Sequence, residues 1–145
     1  MIRAVLDVNV LASAFPRLGG TPAAVVLAAL RGDFVIVVSD TMLDRLVDTW
    51  QKPYVRSRFS DANVVEALER IRVRAEFVVP AADVRGVADD LEDDLVLATA
   101  VAGNATYLVT GDRGLLERDG YRGLTLATPA AFRLVLEQPE TAVRR

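Results

Sequence analysis

The 145-residue chain carries 20 acidic and 17 basic residues for a net charge of −3, is 52% hydrophobic, and contains neither histidine nor cysteine. These numbers suit one domain with a single core and exclude a disordered chain; with no apolar run near the roughly 18 residues a membrane span needs, and no leader before the first strand, the expectation is a cytoplasmic protein with no membrane partner. Lacking histidine excludes Ser-His-Asp triads, zinc-protease helices and paired-histidine ribonuclease chemistry, while Lys52, beside Pro53, lies outside any glycine-rich phosphate loop.

Strand and helix signals alternate along the chain. Residues 2–6 form a buried-strand run and 9–15 a short apolar helical turn. Thr21-Pro22 reads as an N-cap with proline at the first helical position, opening a helix to about Arg31 that Gly32 ends. Residues 34–38 are a β-branched strand. Ser39 caps the next helix, whose Met42, Leu43, Leu46, Val47 and Trp50 follow a 3.6-residue period up to Pro53. A further helix runs from about Ser60 into an arginine-rich segment, and 77–79 is a short strand closed by Pro80.

The acidic stretch 89–94 caps a helix that Gly103-Asn104 stops. Residues 106–110 and 124–127 are strands around a short helix at 113–118, and Thr128-Pro129 opens the helix carrying Phe132 and Val135. This order predicts a three-layer α/β/α fold with a central, mostly parallel sheet. One domain is expected over 1–138, followed by a polar tail at 139–145.

Three aspartates fall at the functional edge of such a sheet, where strand carboxyl ends gather ligands. Asp7 closes the first strand, Asp112 follows a late one, and Asp94 sits at the start of an apolar helix. Each has an ordinary explanation alone: a turn residue for Asp7 or Asp112, a first-turn acid for Asp90, Asp93 and Asp94. Five acids within residues 89–94, however, repel one another more than dipole contributions of roughly 0.3–1 kcal/mol each can offset. A shared Mg²⁺ or Mn²⁺, which prefers oxygen ligands, explains all three at once and points to a metal-dependent hydrolase. Asn9 is either a polar group offered to substrate or a turn residue. The basic segment 52–74, with Arg56, Arg58 and Arg72, is either a polyanion-binding flank or a solvated helix surface.

The segments Leu6-Asp7-Val8-Asn9, Asp90-Leu91-Glu92-Asp93-Asp94 through Ala98, and Leu108-Val109-Thr110-Gly111-Asp112-Arg113 resemble the PIN domain. The likeness is nearest to its VapC-like branch of toxin components of toxin–antitoxin systems, and it covers nearly the whole chain. It implies a Mg²⁺/Mn²⁺-dependent ribonuclease acting on RNA, restrained by an antitoxin and commonly a homodimer. Asp7, Asp94 and Asp112 match the family's metal-binding acids, and Thr110 matches its hydroxyl residue; Asp90 and Asp93 stand as supporting acids.

Two positions depart from that pattern. Arg45 occupies the place of a usual glutamate, six residues after Ser39, and Gly114 stands where many relatives have another aspartate. Asp48, three residues on from Arg45 and near the same helix face, is the candidate substitute carboxylate. Arg45 itself either pairs with the acids or holds a phosphate. The alternative function is therefore a degenerate PIN domain that binds RNA or a protein without cutting. A haloacid-dehalogenase-type phosphatase fits poorly, because Asn9 replaces its second acid.

Overall fold

The computed structural model describes residues 1–138; the tail expected at 139–145 lies outside them. Among the described residues five strands form one all-parallel sheet: β1 (Arg3–Leu6), β2 (Val35–Val38), β3 (Glu76–Phe77), β4 (Tyr107–Val109) and β5 (Thr125–Ala127), in the order β3-β2-β1-β4-β5. Val5, Leu6, Val37, Val38, Leu108 and Val109 are fully buried, as strands covered on both faces require. Strand order reverses at β1. The chain steps outward from β1 through β2 to β3, then returns to β4 on the other side of β1. Register pairs Leu6 with Val109, so β1 and β4 end together at the switch point.

Helices α1 (Val8–Ala14), α2 (Thr21–Arg31), α3 (Asp40–Trp50), α4 (Pro53–Arg56), α5 (Asp61–Arg74), α6 (Leu91–Ala102), α7 (Arg113–Leu116) and α8 (Pro129–Glu137) fill the connections. α1 packs on α2 and α3, α2 on α5 and α8, while α6 lies across β1, β2 and β4, giving the three layers. Trp50, wholly buried, donates its indole N–H to the Ala12 carbonyl at 3.1 Å and locks α3 to α1. At the far end of α6, a Cβ on Gly103 would stand 2.4 Å from a Val37 methyl, so only glycine lets this helix end meet β2.

Most caps agree with the sequence; the exception is α2, where Gly20 and not Thr21 is the N-cap, and Thr21 and Pro22 are the first two helical residues. Ser39, Ser60 and Thr128 each accept a first-turn amide, and Gly32 ends α2 in the left-handed conformation. Pro53 behaves differently from expectation. It stops α3 but also occupies the first turn of the one-turn helix α4, where its missing N–H costs nothing. The strand expected at 77–79 is shorter and earlier, at Glu76–Phe77, because Val78 makes one last bond to the Val38 carbonyl and Pro80 has no amide to continue the ladder.

Candidate active site

The sheet ladder itself positions the first acid. Asp7 donates its amide to the Val109 carbonyl at 2.9 Å, extending the β1–β4 pairing by one residue, and its own carbonyl starts α1. Its side chain is 6% exposed. Thr110, fully buried, donates its hydroxyl to Asp7 Oδ2 at 2.7 Å and accepts the Asp112 amide at 3.0 Å. One hydroxyl thus ties the end of β1 to the turn after β4. Asp112 caps α7 through an Oδ2 bond from the Leu115 amide at 2.8 Å.

A third carboxylate feels the charge of both. The Asp93 carboxyl is pushed up to about 6, first by burial and then by the charges of Asp112, Asp7, Asp90 and Asp94. Asp7 is raised by burial and further by Asp112, against the lowering effect of the Thr110 hydroxyl and nearby backbone amides. Asp7, Asp93 and Asp112 therefore share one field at the β1/β4 switch point. No ion pair among the described residues involves any of the three.

Asp94 is oriented elsewhere. Its Oδ2 accepts the Gly86 amide at 2.8 Å, and its Oδ1 accepts those of Val87 at 3.1 Å and Ala88 at 2.8 Å. With its side chain 6% exposed and both oxygens engaged, this carboxylate closes the loop before α6 and is not free toward Asp7 and Asp112. The sequence reading made Asp94 the central acid and Asp93 a supporting one; in the structure Asp94 turns to the loop amides, and Asp93 is the acid that feels the charges of Asp112 and Asp7. Adjacent helical residues point about 100° apart, so the two cannot exchange roles. The sequence hint was Gly86: at φ +67 it takes a turn that most residues avoid and helps aim successive amides at one point.

The other expected residues divide. Asp90 is the N-cap of α6, accepting the Glu92 amide at 2.7 Å. Asn9 is exposed in the first turn of α1, its amide beside Asp7. Asp48 is exposed and 3.9 Å from Arg45, whose Nε lies 2.8 Å from Glu92 Oε1. Glu92, which the sequence reading passed over, is the residue through which Arg45 reaches the first turn of α6. Arg56 pairs with Asp61, and Arg72 lies 3.9 Å from Asp40 and stacks over Phe77. Arg58 lines a cavity of about 430 Å³ with Phe15, Leu18, Leu27, Glu66 and Arg70, between α2 and α5, away from Asp7, Asp93, Asp94 and Asp112. Gly114 approaches Asp112: a Cβ there would lie 3.4 Å from Oδ2.

Among the described residues no three acid side chains stand close enough to form a ready-made cation cage. The donor set nevertheless fits a hard divalent ion. Mg²⁺ keeps several waters and needs only one or two direct carboxylates, and the chain has no nitrogen- or sulfur-bearing histidine or cysteine to favour a softer metal.

Residues 3–114 match the sequence model of the PIN domain. Similar folds occur in VapBC2 from Rickettsia felis, solved bound to a DNA fragment from its promoter (TM-score 0.59, 18% identity, 86% of this chain and 97% of that one). FitAcB from Neisseria gonorrhoeae gives a TM-score of 0.59 at 17% identity, covering 88% of this chain and 98% of that one. PAE2754 from Pyrobaculum aerophilum gives 0.61 at 17%, covering 94% and 91%. Among curated protein sequences none matches the chain.

Proposed function

Because this chain belongs to the PIN domain family, with residues 3–114 matching it, we propose that it is a metal-dependent endoribonuclease and the toxin of a toxin–antitoxin pair. The observation that carries this reading is the grouping of Asp7, Asp93 and Asp112 at the sheet's switch point with no basic partner among the described residues, burial and Asp112 raising Asp7, and burial, Asp112 and Asp7 raising Asp93. Asp7, Asp93 and Asp112 would hold Mg²⁺ or Mn²⁺, in part through bound waters, and the ion would supply positive charge for the phosphate and an activated water. Thr110 holds Asp7 in place, and the amides at the starts of α1 and α6 favour negative charge nearby. RNA is the proposed substrate and a second protein chain, the antitoxin, the proposed restraint; the VapBC2 likeness supports the latter.

Among the described residues no helix is long and apolar enough to cross a membrane. The test is cleavage of a labelled single-stranded RNA. Cutting in Mg²⁺ or Mn²⁺, abolished by EDTA and by Asp93→Asn, supports the reading; cutting that persists in either condition removes it.

A second reading, binding without cleavage, draws on Arg45. Where relatives resembling this chain carry a glutamate, Arg45 places a guanidinium, and its partner Glu92 is half-exposed beside Asp93. Saturable RNA binding with no cleavage in any divalent metal favours that reading.

A further inference from the structure

Asp93 and Asp112 lie on segments that are fastened together, and the fastening residues are not those of the acid site. Three contacts do this. Asp94 gathers the amides of Gly86, Val87 and Ala88 at 2.8–3.1 Å, fixing the loop that leads into α6. Arg122, in the connection between α7 and β5, donates to Asp83 Oδ2 at 2.8 Å in the same loop. Arg118, just after α7, lies 3.8 Å from Asp89. Asp112 caps α7 and α6 begins two residues before Asp93, so the segment bearing one acid is tied to the segment bearing the other.

Arg122 adopts φ 50, ψ 36, a left-handed conformation unusual for arginine, which the surrounding contacts must hold in place. Three amides converging on one carboxylate are the stronger arm. Such charge-assisted bonds are roughly twice as strong as neutral ones, and this set is part-buried.

We infer that Asp94 is a positioning residue: its clasp on the amides of 86–88, with Arg122 as an outer arm, holds the start of α6 so that Asp93 stays turned toward Asp7 and Asp112. Replacing Asp94 by asparagine puts an NH₂ group against backbone donors, so at least one of the three bonds is lost while the side chain keeps its size. This inference rests on the proposed metal site for its consequence but not for its geometry.

The experiment uses the full chain, first without metal. Amide exchange at Gly86, Val87 and Ala88 and the side-chain rotamer of Asp93, from three-bond couplings, are compared in the unsubstituted chain, Asp94→Asn and Arg122→Gln. The expected result is protected amides and a single Asp93 rotamer in the unsubstituted chain. Asp94→Asn should speed exchange at least 10-fold and average the rotamer, with Arg122→Gln intermediate. Calorimetry with Mn²⁺ should then give binding weakened about 10-fold by Asp94→Asn and undetectable in Asp93→Asn.

An unaltered Asp93 rotamer despite fast amide exchange overturns the inference. So does loss of all Mn²⁺ binding in Asp94→Asn with the rotamer unchanged, which would make Asp94 a ligand. If Asp94→Asn does not fold, the surface variant Arg122→Gln decides by the same rotamer measurement. Absence of Mn²⁺ binding by the unsubstituted chain overturns the metal-dependent reading instead, and the rotamer comparison still decides this one.

Discussion

Thr110 donates its hydroxyl to the Asp7 carboxylate at 2.7 Å while accepting the Asp112 amide at 3.0 Å, so a single buried oxygen couples the two acids that close β1 and follow β4. The same contact offsets part of the burial penalty on Asp7. Thr110→Val keeps the shape and removes the donor, leaving a buried carboxylate short of one partner. Loss of about 1–3 kcal/mol of stability is expected, measured by urea unfolding, with Thr110→Ser close to the unsubstituted chain.

Asp93→Asn should have opposite effects on stability and activity. Removing one of three repelling charges should raise the melting temperature of the metal-free protein, because nothing basic is lost in exchange. Cleavage of RNA in Mn²⁺ should fall by at least about 100-fold, on the order of 3 kcal/mol of transition-state stabilisation. A lower melting temperature for Asp93→Asn in EDTA would contradict the repulsion argument.

The pH dependence follows with a definite sign. Burial, with the neighbouring acids, raises the folded Asp93 carboxyl from 3.8 to about 6, so between those values the folded state holds more proton than the unfolded one. Stability contributed at this residue is therefore highest at low pH and declines as pH rises from about 4 through 6. Asp7 shifts the same way. In EDTA, the melting-temperature advantage of Asp93→Asn should be small at pH 4, grow through pH 6 and then level off. An advantage that shrinks over that range would refute the assignment.

Arg45 gives a gain-of-function test. Arg45→Glu removes the cation bound to Glu92 and puts a carboxylate where relatives resembling this chain have one. Mn²⁺ affinity should rise several-fold and cleavage should increase. Loss of affinity would mean that Arg45 serves the site through its bond to Glu92.

The sheet and its parallel direction were legible because apolar runs and capping residues alternate clearly along the chain; the strand order that puts the switch point at β1 was not. The placement of Asp7, Thr110 and Asp112 just past strand ends was legible for the same reason: a strand end is visible in sequence. The acids of α6 were not. Asp93 and Asp94 are chemically identical neighbours in one helical turn, and which of them faces the sheet edge depends on a loop whose amides capture the other. Nor does sequence spacing reveal that Glu92 from α6 meets Arg45 from α3, since that contact joins elements far apart in the chain. The arginines of 52–74 separated by contact: Arg56 and Arg72 meet acids, and Arg58 faces the cavity between α2 and α5.

The measurement closest to the central claim is calorimetric titration of Mn²⁺ into the unsubstituted chain and into Asp93→Asn under identical conditions. Saturable binding by the first and none by the second is the expected result. Equal isotherms for both proteins, or no heat from the unsubstituted chain at millimolar Mn²⁺, would contradict a cation site built from Asp7, Asp93 and Asp112.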